Sequence, residues 1–134
     1  MPPDSVRAAP FLFIDRCAWS RRLDDALRQA EIPFIAHRER FAPACADIEW
    51  LSVAGREGWI VITRDQAIRR KPNELQVFRD AKVILFALAS GNATAEDTAR
   101  LVVELYPRIL RKAAAATPPA MFSVTLAGGI NPVR

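Results

Sequence analysis

The stretch Gly58-Trp59-Ile60-Val61-Ile62-Thr63-Arg64-Asp65 decides how the whole chain is read. Residues 59–62 carry no polar side chain, which is the pattern of a strand covered on both faces, and the run then breaks into Thr-Arg-Asp. Four further segments read as strands: Phe11–Ile14, Phe34–Ala36, Val83–Leu88 and Phe122–Leu126. The last alternates apolar and polar residues and is expected to be a half-exposed edge strand. Helical segments separate them. Residues 18–30 place Trp19, Leu23, Ala26, Leu27 and Ala30 on one face and charges on the other. Asp47–Gly58 opens on a residue type that caps helices and closes on a glycine stop. A short helix is expected around Glu74–Asp80, after a basic turn at Arg69-Arg70-Lys71. Thr94-Ala95-Glu96-Asp97 resembles a capping box ahead of the stripe Leu101, Val102, Leu105, Tyr106, Ile109 and Leu110. Pro107 lies within that stripe and is expected to kink or interrupt the helix.

The order β-α-β-α-β-α-β-α-β implies a three-layer α/β/α sandwich around a mostly parallel sheet of four to five strands. The 134 residues suit a single domain spanning 1–134, with a core over about 11–126 and short flexible termini. A chain of that length buries roughly two-thirds of its unfolded surface and needs no staple. With 51% hydrophobic and 25% charged residues, the composition is globular rather than disordered. The net charge of +4 is compatible with a polyanionic partner. Cys17 and Cys45 lack metal spacing and are read as reduced thiols, so a cytoplasmic location is expected. The opening MPPDSVRAAP has no signal-peptide core, and the longest apolar run, Val83–Ala89, is too short for a membrane span.

In parallel sheets the working site lies at the carboxyl ends of the strands. Asp15 follows the first strand directly, and Asp65 follows the third. Asp47 and Glu49 begin the helix leading into the third strand, and that helix starts at the same edge. Singly, Asp47 is the kind of residue that caps a helix and Asp65 the kind that sits in a turn. Together with Asp15 they form a carboxylate cluster, whose mutual repulsion calls for a cation. A hard divalent ion such as Mg²⁺ suits an all-oxygen set and in-line attack of water on a phosphodiester. Arg64, Arg69, Arg70 and Lys71 flank this rim and are candidates for holding a nucleic-acid backbone. His37, the lone histidine, reads as a surface or packing residue. Trp19, Trp50 and Trp59 read as core, and Cys17 has no histidine partner to activate it.

Other phosphate chemistries lack their motifs. Asp15-Arg16-Cys17 has no second acid for a haloacid-dehalogenase Asp-x-Asp, and Ile14-Asp15 lacks a receiver's acidic pair. Neither a dinucleotide-binding nor a P-loop glycine pattern is present.

The segments FLFIDR, DIEWLSVAGREGWIVITRD, IRRKPNEL and YPRILRKAAAATPPAMFSVT resemble the PIN-like family, in particular its small VapC-toxin-like branch. The resemblance implies a Mg²⁺- or Mn²⁺-dependent ribonuclease of the fold just described. It also implies an RNA substrate and a cognate antitoxin protein. By position, Asp15, Asp47 and Asp65 match the family's metal ligands, with Glu49 as a further ligand or water-orienting base. Thr63 matches the hydroxyl residue of the Thr-x-Asp turn, expected to orient a ligand or phosphate, alongside Arg64 and Arg69. Two features depart from the pattern. The glutamate that larger relatives carry ahead of Asp47 would have to be replaced by Glu39 or Glu49, and the turn reads Asp65-Gln66-Ala67 instead of Asp-x-Asp. The alternatives are a catalytically weak PIN-like module acting through RNA or protein binding, and a small-molecule phosphohydrolase. An exposed last strand and the apolar helix stripe suggest a homodimer.

Overall fold

The computed structural model describes residues 10–89 and 93–133, except for the side chain of Arg69. The expectations for residues 1–9 lie outside the described residues. Six strands form one sheet in the order β2-β1-β3-β4-β5-β6. They are β1 (Leu12–Ile14), β2 (Phe34–Ala36), β3 (Ile60–Thr63), β4 (Ile84–Leu88), β5 (Ala120–Val124) and β6 (Ile130–Val133). The first five run parallel, and β6 returns antiparallel to β5. The helices are α1 (Arg21–Gln29), α2 (His37–Arg40), α3 (Asp47–Glu57), α4 (Pro72–Asp80) and α5 (Ala95–Ala115). A 3-10 helix over Gln66–Arg70 replaces the expected basic turn.

Period-two alternation sends neighbouring strand residues to opposite layers. Leu12, Ile14, Ile60, Ile62, Phe86 and Leu88 pack with Leu23 and Leu27 of α1 and with Leu101, Val102, Leu105 and Ile109 of α5. Phe13, Val61, Leu85 and Ala87 pack on the other face with Trp50, Leu51 and Ala54 of α3 and Phe78 of α4. Trp50 and Trp59 are core residues, as expected. Trp19 is half-buried and packs against the rim of the core beneath α1 and α5, with the Arg38 guanidinium 4.4 Å above its ring.

Local chemistry sets the helix ends. Ser20 accepts from Leu23 N–H to start α1, Thr94 and Asp97 complete a capping box for α5, and Gly58 ends α3 at φ 73°. Pro107, expected to break α5, leaves it continuous over 21 residues. A helix-interior proline costs about 3 kcal/mol. Each fully buried Leu, Val or Ile side chain returns roughly 1.5–3 kcal/mol, and α5 buries Leu101, Val102, Leu105 and Ile109 along one stripe.

Two expectations at the carboxyl end of the chain are corrected. The core does not stop near residue 126, because a turn through Gly128, at φ 95°, brings β6 back along β5. The segment expected as the edge is therefore interior, with Met121 and Phe122 buried on opposite faces. Pro132 lies on the true edge strand, where a missing N–H is tolerated. Of the two features that suggested a homodimer, the α5 stripe is packed into the core, and the exposed last strand is β6 instead of β5.

Close packing of α3 allows one sharp test. A Cβ built on Gly55 would lie 2.2 Å from the Ala81 carbonyl oxygen, and backbone on that side cannot rotate away. Gly55→Ala is expected to destabilise the fold by about 1–3 kcal/mol despite its better helix propensity. A urea denaturation midpoint equal to the parent's would contradict this contact.

Candidate metal centre

Asp15 leaves β1 with its backbone still in register, its N–H donating to Ile62 O at 3.0 Å. Its carboxylate is buried and fully ordered by neighbours. Oδ1 accepts from Arg16 N–H at 2.7 Å, and Oδ2 accepts from Thr63 Oγ1 at 2.8 Å and Cys17 Sγ at 3.3 Å. The Thr63 hydroxyl in turn accepts from Asp65 N–H at 3.0 Å. Thr63 thus ties together the ends of β1 and the Thr-Arg-Asp turn. Its single proton is committed to Asp15 and its side chain is buried, which suits it to positioning the carboxylates. Thr63→Val keeps the shape and removes both bonds. The expected cost is about 1–3 kcal/mol of stability, with Mn²⁺ affinity lower by roughly 10–100-fold. Urea denaturation and Mn²⁺ titration measure the two effects separately.

Asp47 is the first residue of α3, not its cap. Ala46 holds the capping position and offers no side-chain bond. Asp47 Oδ1 instead accepts from Trp50 Nε1 at 2.9 Å and Arg16 Nη2 at 3.0 Å. Arg16 also donates to the Pro43 carbonyl, which fixes it across the loop before α3. Asp65 does cap, accepting from Ala67 N–H at 2.9 Å through Oδ1, while Oδ2 faces Lys71 Nζ at 3.4 Å.

The acids that converge are Asp47, Asp65 and Glu74, whose oxygens lie within 4.8 Å of one another. Glu74 was not anticipated. It stands in the first turn of α4, which starts at the same sheet edge because it follows β3. Its Oε1 is buried without a hydrogen-bond partner, and its Oε2 lies 3.9 Å from Lys71 Nζ. Burial first, then the charge of Asp47, pushes the Glu74 carboxyl above its ordinary pKa, with Lys71 opposing. Asp65 foremost, then Glu74, holds the Lys71 ammonium in its charged form. Asp15, Arg16, Cys17, Asp47 and Asp65 line one open cleft of about 390 Å³. Asp15 therefore borders the site while standing outside the three-acid group.

The remaining expected residues sort differently. Glu49 accepts from Cys45 Sγ at 3.3 Å and is not one of the three converging acids. Glu39 reaches back to the Ala36 N–H at 3.0 Å, serving the start of α2. Arg64 donates from Nη2 to Ala93 O on the segment before α5, and from its backbone N–H to Cys17 Sγ. The Arg69 side chain lies outside the described residues. Burial first, then the charge of Asp15, pushes the Cys17 thiol above its ordinary pKa, which disfavours the thiolate. His37 is buried near Phe13 and Phe41, and burial holds its pKa below the ordinary imidazole value.

The family model described as "PIN like domain" matches residues 10–90, the segment that holds Asp15, Asp47, Asp65 and Glu74. The chain belongs to the PIN-like domain family. A curated relative from Mycobacterium tuberculosis (strain ATCC 25618 / H37Rv), named "Putative ribonuclease VapC45", is 27% identical over 119 residues. That alignment covers 84% of this chain and 86% of the relative. No solved structure matches the chain. Among the described residues of this PIN-like protein, no helix is long and apolar enough to cross a membrane.

A divalent metal fits the donor set. All three converging groups are carboxylates, the ligand class that hard cations such as Mg²⁺ and Mn²⁺ take. The buried, unpartnered Glu74 Oε1 is an acceptor that the protein itself leaves unsatisfied.

Proposed function

We propose that this PIN-like protein is a Mg²⁺- or Mn²⁺-dependent endoribonuclease and the toxin component of a toxin–antitoxin pair, working in the cytoplasm. The observation that carries the reading is the convergence of Asp47, Asp65 and Glu74 beside Asp15 at the carboxyl edge of the sheet. The relative's name supports RNA as the substrate. Asp47, Asp65 and Glu74 would hold the metal. Bound there, it supplies a Lewis acid that lowers the pKa of water and offsets charge on the phosphate.

The chain's own groups supply the rest. Asp15, locked by Arg16 N–H, Thr63 and Cys17, retains lone pairs on Oδ1 to take the proton of the attacking water. Trp50 and Arg16 fix Asp47, and Thr63 fixes the Asp65 backbone. Arg16, half-exposed at the cleft, offers a guanidinium to the RNA backbone. A cognate antitoxin protein is the expected partner.

One observation favours the second reading, a PIN-like module acting through binding: Arg16 and Lys71 already neutralise Asp47 and Asp65. An RNA-cleavage assay decides between them. The nuclease reading expects cleavage with Mn²⁺ or Mg²⁺, none in EDTA, and no turnover of a simple phosphomonoester. Absence of cleavage of total RNA with either metal would favour the binding module.

A further inference from the structure

Lys71 occupies the place where a cation would sit between two of the three acids. Its Nζ lies 3.4 Å from Asp65 Oδ2 and 3.9 Å from Glu74 Oε2. Its backbone is fixed. The Lys71 N–H donates to Ile68 O, its carbonyl accepts from Leu75 N–H at 2.9 Å, and Pro72 follows as the start of α4. The side chain is another matter, because it is 46% exposed and carries its charge on a flexible four-carbon stem. Arg16 differs on this point, being tied to the Pro43 carbonyl as well as to Asp47. It belongs to the frame, whereas Lys71 has solvent to swing into.

We propose that Lys71 is a displaceable counter-ion of this centre, holding Asp65 and Glu74 together until a divalent cation takes its place. The inference rests on the metal reading above and extends it to how the site is loaded. Three carboxylates within 4.8 Å repel one another when bare. An ammonium beside two of them relieves that repulsion in the metal-free protein. Metal binding is then an exchange of cations, and its affinity is lowered by whatever the ammonium contributes.

Calorimetric titration with Mn²⁺ of the parent, Lys71→Met and Lys71→Arg tests the exchange. Lys71→Met is expected to bind Mn²⁺ about two- to tenfold more tightly, in keeping with the modest strength of exposed ion pairs. Lys71→Arg keeps the charge and should stay near the parent. A second readout follows the ammonium directly. In the reductively ¹³C-methylated protein, Mg²⁺ should shift the resonance of Lys71 and leave those of Lys82 and Lys112 in place. If the parent binds Mn²⁺ and Lys71→Met binds it equally or less tightly, the counter-ion role is wrong and the metal centre stands. The role is equally wrong if the Lys71 resonance does not move at saturating Mg²⁺. If neither the parent nor Lys71→Met binds Mn²⁺, the metal centre itself is wrong, and the inference falls with it.

Discussion

Asp65→Asn is expected to lower Mn²⁺-dependent RNA cleavage by about two orders of magnitude or more while leaving the protein folded. The magnitude is that of removing a positioned charged group from a reacting site, roughly 10²–10⁴-fold. Asparagine is the right replacement because its amide oxygen still accepts from Ala67 N–H, and Asn and Asp cap helices about equally well. The bond from Asp65 N–H to Thr63 Oγ1 uses only the backbone of Asp65 and is unaffected. What disappears is the charge that faces Lys71 and converges with Asp47 and Glu74. Cleavage rates at saturating Mn²⁺, alongside a thermal melt, separate lost chemistry from lost fold. Parent-like cleavage by a folded Asp65→Asn protein would remove Asp65 from the metal centre.

Phe13→Ala is expected to cost about 3–5 kcal/mol, the range for deleting a buried aromatic ring. Phe13 is fully buried, and its ring stacks on Trp50 and Trp59, each at 5.3 Å between centroids, with Phe41 edge-on at 5.8 Å. A loss of that size is about a fifth or more of the 5–15 kcal/mol typical of a whole domain. It also reaches the site along two routes. Phe13 lies two residues before Asp15 on β1, and the ring it supports, Trp50, donates to Asp47. Urea denaturation should show a much lower midpoint with an unchanged slope. A shift worth under 1 kcal/mol would mean that this aromatic stack does not anchor the sheet edge.

The parts of the fold legible in the sequence are those where one physical signal dominates. Strands without a polar face imply a parallel sheet, and the parallel sheet fixes which edge receives Asp15, Asp47 and Asp65. Glu49 stands apart from the converging acids for a reason of helix geometry. Two residues beyond Asp47, it is turned by about 200° around α3, away from the face Asp47 presents. Glu74 was illegible because KPNEL is indistinguishable from an ordinary solvated helix start, where an acid suits the dipole. Only the packing of α4 beside α3 brings it to Asp47. The sixth strand was hidden by Pro132, a residue that argues against strands everywhere except at edges. Pro107 misled in the opposite direction, because burial along α5 outweighs the local penalty. Thr63 was found, but its role lies beneath the carboxylates, a depth that spacing in sequence does not encode.

The most direct test needs no substrate. Crystals of the protein soaked in Mn²⁺ and measured at a wavelength with strong manganese anomalous scattering should show a peak in coordination range of Asp47, Asp65 and Glu74. That peak should be absent in the Glu74→Gln protein or much weaker. A peak bound only by Asp15 and Glu49, or none at saturating Mn²⁺, would contradict the three-acid centre on which the nuclease reading depends.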